Sequence, residues 1–138
     1  MSPSYNHSYL AYKIARALDY QNKYNIHVEL TLDIDGKDFI PDIALYDKRT
    51  VDFLHDIIKT NELPKMVVEI LSPTQSVNEI TDKFEIYLKA GIKSCWLVIA
   101  PTKTIVIFND ITKPHSYTKG KVIDTEMDVN FTVEDIFD

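Results

Sequence analysis

The run Met66-Val67-Val68-Glu69-Ile70-Leu71-Ser72-Pro73 decides the fold more than any other stretch of this sequence. Its nearly continuous apolar character is typical of a strand buried on both faces, and Ser72-Pro73 ends it. A single carboxylate, Glu69, interrupts the run. An ionised carboxylate in a buried strand is costly unless it is paired or bound to a metal, so Glu69 is the first candidate for a functional-site residue.

The segment before this strand predicts a helix followed by a hairpin. Apolar residues at helical spacing indicate a helix from about Asn6 to Tyr20. Strict alternation from Ile26 to Ile34 then predicts one strand with a buried face. Asp35-Gly36 is a strong turn signal, so a returning strand is expected over about 38–46.

The segment after the central strand predicts a second helix and further strands. Apolar spacing indicates a helix from about Val77 to Ala90, which Gly91 ends. The other expected elements are a short helix within 51–58, strands over 94–100 and 104–108, short strands around 116–119 and 122–123, and a helical turn over 133–137. This order predicts an α/β fold, a mixed β-sheet flanked by helices.

Length and composition predict a single domain over residues 1–138. The 15 basic and 21 acidic residues give a net charge of −6, which counts against strong non-specific binding to nucleic acid. No apolar run approaches the roughly 20 residues that span a bilayer, and the N-terminus lacks the features of a signal peptide. We therefore expect a cytoplasmic protein with no membrane association.

Two further residues join Glu69 as candidates. Asp42 follows Pro41 among apolar residues of the returning strand, and Lys83 lies close to the apolar stripe of the second helix. Two acids on adjacent strands can share a divalent ion, since Mg²⁺ takes one or two carboxylates and keeps several waters. The alternatives are a buried structural salt bridge between Glu69 and Lys83, and an Asp that only makes a turn.

The same residues carry a resemblance to a known family. The order Pro41-Asp42, Val68-Glu69-Ile70-Leu71-Ser72-Pro73, Asp82-Lys83 with Tyr87 and Ala90-Gly91-Ile92, followed by Trp96, resembles the Uma family of restriction-endonuclease-like proteins. That family is a branch of the PD-(D/E)XK nuclease superfamily. The resemblance runs from about residue 6 to residue 137 and implies a restriction-endonuclease-like fold.

The resemblance also implies a site and an activity. Asp42, Glu69 and the backbone carbonyl of Ile70 would hold Mg²⁺ or Mn²⁺, and Asp42, Glu69 and Lys83 would be the catalytic residues of an endonuclease that hydrolyses DNA. The superfamily's usual lysine lies two residues after the acid, where this sequence has Leu71. In the Uma-like pattern a lysine of the following helix takes that role, and Lys83 matches it.

Three more residues are candidates for supporting this site. His7 lies where the family often has a histidine, although a surface or capping role is the simpler interpretation. Glu29 falls on the polar face of its predicted strand, where a solvated role is the simpler one. Ser72 could hydrogen-bond a carboxylate, but capping the next helix is the more common use of serine in such a turn.

Three functions remain open at this point. The first is a metal-dependent DNA endonuclease, for which a homodimer is plausible because two active sites cut two strands. The second is a non-catalytic module on a nuclease fold that binds nucleic acid or a protein, since fold does not settle function. The third, ranked well below, is a carboxylate-pair hydrolase such as a glycosidase, which would need no metal.

Overall fold

The computed structural model describes residues 3–138, and its centre is a six-stranded sheet. The strands lie in the order β1-β4-β5-β6-β7-β8, and only β5 and β6 run parallel. The chain order of all elements is α1 Tyr5–Asp19, β1 Tyr24–Val28, β2 Leu32–Ile34, β3 Lys37–Phe39, β4 Ile43–Asp47, β5 Met66–Ile70, α2 Val77–Ala90, β6 Ser94–Ile99, β7 Thr104–Phe108, β8 His115–Tyr117 and α3 Val133–Ile136.

The two faces of the sheet bury separate sets of apolar side chains. On one face, Met66, Val68 and Ile70 of β5 pack with α1, α3 and the C-terminal segment. On the other face, Val67 packs with α2 and with the separate β2–β3 hairpin. Since side chains alternate along a strand, Glu69 points to the same face as Val67, toward α2. The predicted α/β class, a mixed sheet flanked by helices, is confirmed.

The predicted helix over Val77–Ala90 is confirmed to the residue. Ser76 caps its start by accepting a hydrogen bond from the Glu79 backbone N–H at 3.2 Å. Gly91 follows with φ +113°, in the left-handed region that glycine tolerates best, and its N–H bonds to the Leu88 carbonyl. The first helix, the buried central strand and the turn at Asp35-Gly36 are confirmed as well.

The single strand predicted over Ile26–Ile34 is wrong. The chain leaves the main sheet at Glu29, whose φ of +55° ends β1, and it re-enters extended structure in the separate hairpin. The returning strand predicted over 38–46 is divided in the same way, into β3 of the hairpin and β4 of the main sheet. Alternation is preserved across the break at Glu29, so the hydrophobic period alone could not reveal it.

Two other predicted elements are also wrong. Residues 51–58 form no helix. The Asp52 side chain accepts a hydrogen bond from the Leu54 backbone N–H and contacts the His55 ring, which favours a turn over a helix. The apolar side chains of this segment are not buried either, since Phe53 and Ile58 are 93% and 94% exposed. Residues 122–123 form no strand, although the Val122 N–H donates to the Phe131 carbonyl at 3.0 Å. The short strand expected near 116–119 lies slightly earlier, as β8.

Within residues 3–138, no helix has the length and apolarity needed to cross a membrane.

Candidate active site

A cleft of about 280 Å³ opens where β4 begins and β5 ends, beside the first turn of α1. The three main candidates predicted from the sequence, Asp42, Glu69 and Lys83, all line it. Asp42 directly precedes β4, and Glu69 is the fourth residue of the neighbouring strand β5. The antiparallel register pairs Ile43 with Val68, so the two carboxylates emerge side by side from adjacent strands.

Asp42 is held by one of its two oxygens. Its Oδ2 accepts a hydrogen bond from the Ile70 backbone N–H at 2.6 Å and lies 3.1 Å from Nε2 of His7. Burial raises the pKa of Asp42, against the opposing effects of the Ile70 N–H and of His7, while the nearby charge of Glu29 raises it further. Both contacts are made by Oδ2, so this oxygen orients the side chain.

Glu69 is the most deeply buried of the three, with 4% of its surface exposed. The Tyr87 hydroxyl donates a hydrogen bond to its Oε2 at 3.1 Å. Burial raises the pKa of Glu69 to about 7, the positive charge of Lys83 lowers it, and the negative charge of Asp42 raises it. At neutral pH this carboxylate therefore ionises much less readily than an exposed glutamate.

Lys83 reaches the cleft from α2. It lies one helical turn before Tyr87, so both side chains project from the same face of the helix toward Glu69. Among residues 3–138, however, the Lys83 ammonium makes no ion pair within 4.0 Å. The closed Glu69–Lys83 salt bridge that the sequence left open is therefore not the arrangement in the structure.

The three supporting candidates also line the cleft. His7 contacts Asp42 as described, and its buried Nδ1 has no partner within the described chain. Glu29 does not lie on a strand face as predicted, because it follows β1 in a left-handed conformation and donates its N–H to the Asp42 carbonyl at 3.1 Å. Ser72 does not cap α2 either, since Ser76 does, and its buried hydroxyl has no partner among residues 3–138.

Tyr87 contributes a polar contact that the sequence did not predict. Its ring is fully buried in the core, and its hydroxyl orients Glu69. The sequence signal was the spacing from Lys83, four residues along one helix. Gln75 also lines the cleft, and its Oε1 accepts a hydrogen bond from the Ser72 backbone N–H at 3.1 Å.

The donor atoms in the cleft suit a hard cation. No group of three or more His, Cys, Asp or Glu side chains within residues 3–138 is placed to hold a metal, so the site is unlike a closed zinc centre. Mg²⁺ needs only one or two carboxylates beside its waters. Asp42 and Glu69 supply these, and both have a raised pKa that a nearby cation would lower.

The backbone adds one more oxygen at the same place. Continuing the β4–β5 register sets Pro41 opposite Ile70. Proline has no N–H, so it cannot donate to the Ile70 carbonyl, and the Ile70 N–H is taken by the Asp42 side chain instead. Pro41 thus interrupts the regular strand pairing at the cleft.

Comparisons with known proteins agree with this architecture. A crystal structure of a protein from Anabaena variabilis, described as "a putative nuclease belonging to DUF820", superposes with a TM-score of 0.83 at 19% identity. The alignment covers 99% of this chain and 83% of that one, and at this identity it shows the shared fold. No curated protein matches the chain.

A family model described as "Putative restriction endonuclease" matches residues 1–135. The match spans nearly all of the 138 residues and includes every candidate site residue. It confirms the resemblance drawn from the sequence. The chain therefore belongs to the Uma2 family of restriction-endonuclease-like proteins.

Proposed function

We propose that this chain is a nuclease that hydrolyses phosphodiester bonds of DNA with the help of Mg²⁺ or Mn²⁺. The observation that carries the proposal is the convergence of Asp42 and Glu69, from adjacent strands, on one cleft where both have a raised pKa. Membership in a restriction-endonuclease-like family supports the same reaction class. Asp42, Glu69 and the Ile70 carbonyl would hold the cation.

The buried carboxylate pair favours a cation as its partner. Burial penalises both charges, and the Coulomb repulsion between Asp42 and Glu69 adds to the penalty at Glu69. Lys83 offsets only part of this, because its ammonium is not in direct ion-pair contact. When bound, a divalent ion polarises the scissile phosphate and lowers the pKa of a bound water.

The chain's own residues position these groups. The Ile70 N–H and His7 fix Oδ2 of Asp42, and the Tyr87 hydroxyl fixes Oε2 of Glu69, so neither carboxylate has to be ordered when substrate binds. The Lys83 ammonium, which no carboxylate of residues 3–138 contacts directly, is available to stabilise negative charge on the phosphate in the transition state.

The test compares three site variants with two matched controls. Asp42→Asn and Glu69→Gln remove one charge each at nearly constant volume, and Lys83→Met removes the ammonium. Glu85→Gln and Lys89→Met make the same changes on the exposed face of α2. Isothermal titration calorimetry follows Mn²⁺ binding, and gel assays follow cleavage of single-stranded and duplex DNA.

We expect wild type and both controls to bind Mn²⁺ and to cleave DNA. Both carboxylate variants should lose binding and cleavage. Lys83→Met should still bind Mn²⁺ but cleave about a hundredfold more slowly, the usual cost of removing one electrostatic contributor to the transition state. Mn²⁺ binding that is unchanged in Asp42→Asn and Glu69→Gln would refute the proposed metal site.

The acidic composition supports one alternative, a non-catalytic binding module on the same fold. A net charge of −6 is unfavourable for an enzyme that must approach a polyanion. This alternative predicts that wild type cleaves no DNA even when Mn²⁺ is bound.

Cleavage of both strands of a duplex would require two active sites, which a homodimer would supply. Light scattering determines the oligomeric state.

A further inference from the structure

A second cavity adjoins the cleft on the side of α1. Its volume is about 490 Å³, within the range of small-molecule sites. The two cavities have five lining residues in common, so they are neighbouring parts of one depression in the surface: Ser4, His7, Ser72, Pro73 and Gln75. A ligand larger than the cleft can therefore reach into this second cavity, which the proposed hydrolysis does not use.

The second cavity is mainly apolar and has an aromatic rim. Ile70, Leu71, Ala100 and Pro101 contribute apolar surface, in contrast to the carboxylates and ammonium of the cleft. Tyr5, the first residue of α1, lines the cavity with 90% of its surface exposed. A largely solvent-exposed ring beside an apolar hollow offers a face on which another planar ring can stack.

The wall between the two cavities also carries polar side chains. Ser72 lines both cavities, but its hydroxyl oxygen is itself buried, and it has no hydrogen-bond partner among residues 3–138. The polar groups that a ligand can reach are therefore those of the neighbouring amides. The amide side chains of Asn6 and Gln75 line the same cavity and add donors and acceptors.

Charge argues against a duplex in this depression. Its lining contains one lysine, Lys83, against three carboxylates, those of Glu29, Asp42 and Glu69. Proteins that grip duplex DNA neutralise many phosphates with lysine and arginine. Proteins that bind single strands obtain much of their affinity by stacking bases on aromatic side chains, which is the surface that Tyr5 provides.

We propose that the second cavity binds a nucleobase adjacent to the scissile phosphate, with Tyr5 as the stacking residue and the amides of Asn6 and Gln75 as hydrogen-bonding groups. The substrate is then an unpaired nucleotide, in a single strand or in an unpaired segment of a duplex, because a paired base is not free to enter. This inference rests on the proposed nuclease function and names its substrate class. A single strand also needs only one active site.

The test measures binding in EDTA, so that hydrolysis does not interfere. Fluorescence anisotropy follows a labelled DNA strand, an abasic strand of the same length and the corresponding duplex. The variants are Tyr5→Ala, Tyr5→Phe and Tyr20→Ala. Tyr20 is a matched control because it lies at the opposite end of α1 and is 88% exposed.

We expect wild type to prefer the single strand over the duplex. Tyr5→Ala should weaken binding of the single strand about tenfold, in the range of one lost stacking contact. The same variant should bind the abasic strand as wild type does, because no base remains to stack. Tyr5→Phe keeps the ring and should retain affinity, and Tyr20→Ala should be unchanged.

Four results would overturn the proposal: wild type binds no single strand, wild type prefers the duplex, Tyr5→Ala has wild-type affinity, or its loss is equal on the abasic strand. A cleavage assay with Mn²⁺ separates this failure from failure of the nuclease proposal. Duplex cleavage that does not depend on Tyr5 would support the nuclease proposal and refute the base site. Tyr5-dependent binding with no cleavage would support the base site and refute the nuclease proposal.

Discussion

Replacing Glu69 by glutamine should stabilise the metal-free protein at alkaline pH. The folded state holds this carboxyl with a pKa raised to about 7 from its ordinary value of 4.5, mainly through burial. Between these two pH values the folded state binds more protons than the unfolded state. The free energy of unfolding of wild type therefore falls as the pH rises through this interval, and it stays low above it.

The size of this effect follows from the same two pKa values. Each pH unit between 4.5 and about 7 corresponds to about 1.4 kcal/mol, so the full penalty amounts to roughly 3 kcal/mol. Glutamine has nearly the same volume, and its amide oxygen can still accept the Tyr87 hydroxyl, but it carries no charge to desolvate. The free energy of unfolding of Glu69→Gln, measured relative to wild type, should thus increase by up to roughly 3 kcal/mol between pH 4.5 and pH 8.

Urea denaturation in EDTA at several pH values measures this difference. Glu85→Gln, an exposed glutamate of the same helix α2, is the control and should show almost no pH-dependent gain. Adding Mn²⁺ at a thousand times Kd should reverse the order, because a cation that binds only the folded wild type then stabilises it by about 4.1 kcal/mol. A pH-dependent loss of stability in Glu69→Gln without metal would show that the Glu69 charge stabilises the fold, and would refute this reasoning.

Two further predictions concern the framework around the site. Asp124 is a buried carboxylate that accepts hydrogen bonds from Ser94 and from Trp96 Nε1, the latter at 2.8 Å. Asp124→Ala should lower the free energy of unfolding by about 3 kcal/mol, because these buried donors lose a charged acceptor. Urea denaturation, followed by the fluorescence of the single tryptophan, measures this loss of stability. The control is Asp128→Ala, which removes an exposed ion pair and should cost under about 1 kcal/mol. Equal losses of stability in the two variants would contradict the argument. Gly91→Ala should lower the free energy of unfolding by about 1–2 kcal/mol, because the residue has a φ of +113° that alanine adopts only with strain. Steric overlap does not contribute, since an added Cβ meets nothing within 4 Å. Thermal denaturation measures the change, and a more stable variant would contradict the prediction.

Much of the site was predictable because its signals are local. The apolar run interrupted by Glu69 predicted a strand buried on both faces, and every residue of β5 is buried. Helical periodicity, with glycine after it, placed Lys83 on a helix whose bounds the structure reproduces. The cost of burying a carboxylate depends little on which elements surround it, so Glu69 could be singled out without knowing the fold.

Other parts depended on contacts between segments far apart in the chain. The division of the predicted hairpin at Glu29 leaves the alternation of apolar and polar residues intact, so the sequence contained no sign of it. The apolar residues of 51–58 suggested a helix, yet the fold supplies no surface that buries them. Secondary structure in such segments is decided by tertiary packing, which overrides local preference.

Local patterns were enough to predict the α/β class, the central strand and the candidates Asp42, Glu69 and Lys83, because hydrophobic period, turn chemistry and the cost of buried charge all act over a few residues. Three features could be seen only in the folded chain: Ile70 and His7 fix one oxygen of Asp42, Tyr87 holds Glu69, and a second cavity adjoins the cleft. These features arise where α1, β4, β5 and α2 meet, and the geometry of that meeting is set by strand order and register rather than by any local pattern.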